Sequence, residues 1–332
     1  MSTISIDRLI RRPEAGAFLG MIAIGIFFTI FGGQNFASFS GAASWLNVAA
    51  NLGIIAIPIG FLMIAGELDI SIGAMVPGAS MCMGIISGYY HLPILLGVAM
   101  TLGFAVIVGL INGIVVVRTA VPSLIVTMGT LFAVAGLTLF MSIVLTDTTA
   151  VSLKAPLWAK AVFGSFIFGG SYQVIIIWWL GLTALYIYFL HYSPWGNWVY
   201  AIGGDKVSAR NAGIPTKKLT IGLFVLSAMS AAFVGLCQTI LFNSAQVSTG
   251  MSFIFNSIIS VVVGGVLLTG GFGSVIGIFF GTITFAMVNQ GIYFTDFDRN
   301  LSSLIIGVML LLAVLMNNTF RKMALSYSPK KK

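Results

Sequence analysis

Leu92-Pro93-Ile94-Leu95-Leu96-Gly97-Val98-Ala99-Met100-Thr101-Leu102-Gly103-Phe104-Ala105-Val106-Ile107-Val108-Gly109-Leu110-Ile111-Asn112-Gly113-Ile114-Val115-Val116-Val117 contains no ionisable side chain. A helix rises 1.5 Å per residue, so a run of this length crosses the ~30 Å hydrocarbon layer of a bilayer. Arg118 follows immediately, at the point where such a helix would meet water. The same pattern recurs along the chain. Apolar runs at about 13–33, 44–66, 70–89, 92–117, 122–145, 172–192, 217–242, 253–269, 273–293 and 300–317 predict an all-α polytopic membrane protein of about ten spans. The composition agrees: 58% of the 332 residues are hydrophobic and 7% are charged, with a mean hydropathy of +1.07. No soluble domain has this balance.

An even number of spans puts both termini on one side, as cytoplasmic tails 1–12 and 318–332 of a single transmembrane domain covering 1–332. The basic residues set the orientation. Arg8, Arg11, Arg12, Arg118, Lys206, Arg210, Lys217, Lys218, Arg321, Lys322, Lys330, Lys331 and Lys332 all fall on that side, and only Lys154, Lys160 and Arg299 fall opposite. By the positive-inside rule the termini are cytoplasmic. The net charge of +8 therefore lies in segments flanking spans, which fits contact with membrane lipid and not a nucleic-acid-binding face. The basic start and the apolar run 15–31 have the outline of a secretory signal, but no small-x-small cleavage site follows, and an uncleaved first span is expected.

Catalytic signatures are missing. The chain has no Gly-Lys pair, hence no Walker A loop, and no His-Glu-x-x-His motif. Cys82 and Cys237 lie in apolar runs, as free buried thiols do, and His91 and His191 stand singly at span ends. No metal site, cofactor site or enzymatic centre is expected. Gly109 and Gly113, and Gly273, Gly277 and Gly281, recur every fourth residue, the spacing that lets helix backbones approach closely in lipid.

Two connections are long enough to carry function: an external loop at 146–171 and a cytoplasmic one at 201–216. A third polar stretch is short. Gly66-Glu67-Leu68-Asp69-Ile70-Ser71-Ile72-Gly73 separates two spans with no basic residue near it in sequence. A carboxylate at the bilayer centre costs roughly 2.5–3.5 kcal/mol, and less near an interface. Glu67, Asp69 and Ser71 therefore read either as a polar break lining a translocation path or gate, or as a turn with Gly66 at its corner and Asp69 as N-cap of the next helix. Asn51, Asn112, Gln238, Asn256 and Asn289 lie inside spans, as helix–helix hydrogen-bond partners or as contacts for a polar solute; Asn51, Asn112 and Asn256 join the path candidates.

The cytoplasmic island Ala201-Ile202-Gly203-Gly204-Asp205-Lys206-Val207-Ser208-Ala209-Arg210-Asn211-Ala212-Gly213-Ile214 has helix-start chemistry. Gly203 and Gly204 are expected to break the preceding helix, Asp205 to cap a new one of about two turns, and Gly213 to end it. Ala209 and Ala212 would give it a low-profile surface suited to docking. A plain solvated connection is the alternative.

These residues resemble the permease subunits of the ribose/xylose/galactose class of ABC importers, whose cytoplasmic loop follows A-x-G-G-N/D…A-A-x-x-A-G-I; Ser208 stands where that pattern has alanine. Residues 66–73 are similar to the family's G-G-I-D-L-S-x-G, with Glu67-Leu68 replacing Gly-Ile. Residues 109–113 with 121–130, and Gly264-Gly265 through 270–277, resemble two further family stretches. A departure lies at Ser252-Phe253-Ile254-Phe255-Asn256-Ser257, where the family often has an acidic stretch. The resemblance implies an inverted pseudo-repeat of spans 2–5 and 7–10 and a pathway formed with a second permease chain. It also implies a tandem ATP-binding subunit docked on the loop through Gly203, Gly204, Asp205, Ala209, Arg210, Ala212, Gly213 and Ile214. ATP would be bound by that partner, and a periplasmic sugar-binding protein would dock on the outer loops, including 146–171 and 293–300. The expected activity is import of a monosaccharide or similar small polar solute across the bacterial inner membrane. The competing reading is a proton-coupled secondary transporter using Glu67 and Asp69.

Overall fold

The computed structural model describes residues 13–296 and, beyond them, residues 298, 304, 307, 308, 311, 312 and 315. The tails 1–12 and 318–332 with their basic clusters, Arg299, and most of the expected span at 300–317 lie outside the described residues. Among those described, eight helices are long and apolar enough to cross a membrane. They are α1 (Pro13–Phe31), α3 (Phe39–Ile64), α4 (Ile72–Met83), α5 (Ile94–Arg118), α6 (Ser123–Thr146), α8 (Ile175–Ile187), α11 (Thr216–Phe242) and α13 (Val275–Gly291). α4 and α8 reach full length through π-helical turns at Gly84–Tyr89 and Tyr188–Tyr192. Short pieces complete the chain: α2 (Gly33–Ala37), α7 (Leu157–Phe163), α9 (Pro194–Gly204), α10 (Lys206–Asn211) and α12 (Ser252–Val263).

α3, α4, α11 and α13 form the centre. α11 packs on α5, α4 and α3, while α13 packs on α3, α1 and α12. The layering follows from composition, because helices that are apolar all round can be buried in protein or face lipid equally well. Thus 83% of the apolar window of α3 is buried but only 22% of that of α6, which presents Phe132, Phe140 and Val144 outward. The glycines Gly109 and Gly113 of α5 face α11 so closely that a Cβ would sit 2.5 Å from the Cα of Val225 and 2.7 Å from that of Ile221.

Two expectations are corrected here. The span at 253–269 is a helix only over Ser252–Val263, because Gly265, Gly270 and Gly271 take positive φ (91°, 84° and 73°) and turn the chain into a non-helical stretch before α13. Gly273 for the same reason is not on a helix face: it precedes Ser274, the N-cap of α13, so only Gly277 and Gly281 share a face, packed against the backbone of Ser260 and Gly264.

The two ends of the bundle differ. At one end strand β1 (Ala150–Ser152) pairs antiparallel with β4 (Ser244–Gln246), burying Val151 and Ala245 against Met81 and Ile85. The hairpin β2 (Phe166–Ile167) and β3 (Tyr172–Gln173) lies at this end too, where Asn47 of α3 donates to the Ser171 carbonyl (3.0 Å). At the other end the chain between α3 and α4, the start of α6, α9–α10 and the glycine-rich stretch before α13 meet.

Candidate functional site

The helix α9 runs through Gly203 and Gly204, so these glycines do not break it as expected. Gly203 serves close approach: a Cβ there would overlap the carbonyl oxygen of Ile64 at the end of α3. The break comes at Asp205, whose extended backbone (φ −156°, ψ 111°) starts α10 and whose carboxylate accepts the Ser208 N–H at 2.6 Å. Hydrogen bonding to Ser208 holds the Asp205 carboxyl below the usual carboxylate range. α10 ends at Gly213 (φ +83°), where Gly213 N–H bonds to Arg210 O (3.0 Å) and Ile214 N–H to Ala209 O (3.1 Å), a Schellman cap.

The expected docking face needs correction. Ala209 is 4% exposed and turns into the bundle. Successive residues step 100° around a helix, so Val207, two positions back, must point away. Val207 is 58% exposed, flanked by exposed Ser208, Arg210, Asn211 and Ala212. Sequence reasoning passed over Val207, although a β-branched apolar residue three positions before Arg210 in a polar island was a visible signal.

Beneath α10 lies the break between α3 and α4. Gly66 (φ +81°) closes α3 with its own Schellman cap, through Gly66 N–H to Met63 O (3.0 Å) and Glu67 N–H to Leu62 O (2.8 Å). The next backbone donors are met by hydroxyls one turn apart on α6: Leu68 N–H bonds to Ser123 Oγ (3.0 Å) and Ile70 N–H to Thr127 Oγ1 (3.3 Å). Non-helical backbone survives at such a place only when protein groups satisfy it.

Asp69 is 1% exposed. It is not the N-cap of α4, since Ser71 holds that position and makes no side-chain cap bond. Asp69 instead accepts from the Ser71 N–H (2.9 Å) and Ser71 Oγ (2.6 Å) on one oxygen, closing an Asx turn, and from Ser227 Oγ of α11 (2.8 Å) on the other. Burial pushes the carboxyl above its ordinary value, while the bonds from Ser71 and Ser227 pull it back. Ser71 Oγ in turn accepts from Asn112 Nδ2 of α5 (2.9 Å), and Asn112 Oδ1 accepts from Thr130 of α6. A single buried network thus ties α11, α5 and α6 to the break. Ser123, Thr127, Thr130 and Ser227 were not singled out from the sequence, where hydroxyls inside apolar runs carry no mark of their partners.

Glu67 also differs from expectation. It has a basic partner: Lys206 Nζ, the first residue of α10, lies 2.7 Å from Glu67 Oε1 although 139 positions away in the chain. The structure therefore brings Glu67, Asp69, Ser71 and Asn112 together at one end. It places Asn51 at the other, donating to Gln173 Oε1 (3.0 Å) and accepting from Gln238 Nε2 (3.3 Å) beside a cavity of about 10 Å³, the room of one water. Asn256 stands apart on α12, its carbonyl accepting from Ser260 Oγ (2.7 Å). Tyr200 of α9 donates to the Gly273 carbonyl (2.7 Å), binding the glycine-rich stretch to the same end as α10. Among the described residues no group of three His, Cys, Asp or Glu converges on a point that could hold a metal.

The chain has relatives over most of its length. It is 29% identical to the fructose import permease protein of Rhizobium meliloti over 92% of this chain and 84% of the relative. It is equally similar, 29%, to the xylose/arabinose import permease protein of Sulfolobus acidocaldarius (93% and 87%), and 28% identical to the ribose import permease protein of Haemophilus influenzae (80% and 81%). Residues 41–314 match the family described as "Branched-chain amino acid transport system / permease component", from within α3 to beyond α13. With eight apolar spans among its described residues, the chain is a multi-pass membrane protein and belongs to that family of transport-system permease components.

Proposed function

We propose that this chain is the membrane-embedded, non-catalytic subunit of an ATP-driven importer that moves a monosaccharide or similar small polar solute across the bacterial inner membrane. A second permease chain completes the pathway. A tandem ATP-binding subunit docks on α10 and binds the ATP, so this chain needs no cofactor of its own. A periplasmic sugar-binding protein meets the outer end around 146–171. The sugar assignment is supported by the fructose, xylose/arabinose and ribose relatives.

The observation that carries the reading is the arrangement of α10. It projects Val207, Arg210, Asn211 and Ala212 outward, while its first residue and the end of α9 just before it are fastened next to α3 by the Lys206–Glu67 pair and the Gly203–Ile64 approach. A surface helix that is both exposed and rigidly fastened can pass on force, whereas a loose loop cannot. The membrane acids, which would be the centre of a proton-coupled transporter, are engaged otherwise: Asp69 by Ser71 and Ser227, Glu67 by Lys206.

The test is co-purification from the native host membrane in detergent, followed by an ATPase assay. A tandem ATPase should accompany the wild-type chain and be lost from Val207→Asp, with the permease still inserted. A chain that purifies alone and moves labelled fructose, xylose or ribose into proteoliposomes on a proton gradient overturns the reading.

A further inference from the structure

The Lys206–Glu67 pair suggests how movement of α10 would enter the bundle, and this step rests on the docking role proposed for α10. Lys206 is the first residue of α10, and Glu67 is the first residue beyond the glycine that closes α3. The glutamate side chain is 11% exposed and the lysine 44%, so the pair sits at the boundary of the bundle rather than in open solvent. A partly shielded pair resists screening by salt better than a surface one. A second fastening lies one turn away. Ile64 O, against which Gly203 packs, also accepts the Gly271 N–H (2.8 Å), so α9–α10 and the glycine-rich stretch before α13 share one anchor on α3.

Past Glu67 there is little slack. Leu68 and Ile70 are held by Ser123 and Thr127, and Asp69 is held by Ser71 and Ser227. A displacement of α10 relative to α3 must therefore either break the ion pair or move the 67–71 backbone together with Ser71, Asn112 and Ser227 in the interior. We infer that Glu67 and Lys206 are positioning residues that transmit movement of the docking helix into the buried Asp69 network, rather than a wall of the solute path.

The experiment uses amide hydrogen exchange on the full-length permease in detergent, comparing wild type, Lys206→Glu, Glu67→Lys, the double charge swap and Lys206→Arg. Each single reversal should speed exchange about threefold or more, both in 209–214 and in 68–71, and the double swap and Lys206→Arg should restore both segments, as expected of a directly coupled pair. Exchange that rises in 209–214 while 68–71 stays at the wild-type rate overturns the inference. In the complex with the co-purified ATPase, trapping with ATP and vanadate should alter exchange at 68–71 in wild type. In Lys206→Gln that change should vanish although the ATPase remains bound at wild-type stoichiometry; a change that persists also overturns the inference. Failure of any ATPase to bind the wild-type chain would instead break the docking assignment, and the permease-alone comparison would still decide the strut.

Discussion

Two non-helical breaks lie side by side at the same end of this bundle, and they are held by different means. The break at 65–71 is held by side chains: Ser123, Thr127, Ser227 and Asn112 reach into it, and a buried carboxylate organises them. The break at 264–274 is held chiefly by backbone, with Tyr200 donating to the Gly273 carbonyl. Gly265 N–H bonds to Val262 O (2.9 Å) and Val266 N–H to Val261 O (3.2 Å), Leu267 N–H bonds to Phe272 O (3.2 Å), and Gly271 N–H reaches across to Ile64 O. Each has a glycine at positive φ as its second residue, Gly66 and Gly265, because a helix can be ended tightly only by a residue that tolerates that conformation. The contrast is in what each break responds to. The polar break is sensitive to charge and hydrogen-bonding capacity, and the glycine break to volume.

The largest effect should come from removing the carboxylate. Asp69→Ala strands Ser71 and Ser227 hydroxyls that now donate to it, and hydrogen bonds to a charged group contribute about 1.5–3 kcal/mol each. The loss should reach about 3 kcal/mol or more, seen as a lowered thermal or SDS unfolding midpoint in detergent. Asp69→Asn, which keeps an acceptor for one hydroxyl, should recover part of it. Equal midpoints for Ala and wild type would show that the network does not hold the polar break.

The glycine break should respond to size with a smaller cost. Gly203→Val drives a side chain into the Ile64 carbonyl, and overpacking of this kind costs about 1–3 kcal/mol. Its distinguishing mark is location: exchange should rise at Gly271, whose N–H depends on the same carbonyl, and not at Leu68. If Gly203→Val loosens 68–71 as strongly as 271, the two breaks act as one unit and the contrast between them fails. Ser227→Ala comes next, at about 1.5 kcal/mol, the low end for one hydrogen bond to a charged group and less than the loss of Asp69 because Ser71 still satisfies the carboxylate. An unfolding midpoint for Ser227→Ala as low as that of Asp69→Ala would mean that α11 and not the Asx turn carries the network.

The different holding of the two breaks also explains how much was legible in the sequence. Membrane class, the positions of most spans, the cap at Asp205 and the turn at Gly66 follow from local residue chemistry, and local chemistry is written in the chain. Residues 264–269 of the glycine break read as span in the sequence because Val261, Val262, Val263, Val266, Leu267 and Leu268 are apolar, and hydropathy does not see backbone geometry. Glu67 was read without its partner because Lys206 is 139 positions away, and pairing at that distance is a property of the fold. Ala209 is buried and Val207 exposed for a subtler reason. In a six-residue helix the buried side is chosen by what lies beneath, here the partly buried Ile214 and the bundle, and not by any periodicity of the helix itself.

The smallest expected effect concerns the start of that helix, and it sharpens the comparison by testing a charge that is not buried. Asp205 caps α10 from solvent, with its carboxyl held below the ordinary range by Ser208. A depressed folded-state value means that the cap contributes in full above the ordinary carboxylate pKa and is lost only as pH falls through the lowered one. Exchange at Ser208 and Ala209, referred to the intrinsic rate at each pH, should therefore stay slow down to mildly acid conditions and rise only at lower pH, with Asp205→Asn removing that pH dependence. Burial shifts Asp69 the other way, upward, so protection at Ser71 should not be lost in step with that at Ser208. If protection at Ser208 and at Ser71 were lost together on acidification, the exposed cap and the buried network would be titrating as one system, joined through the ion pair between Lys206 and Glu67.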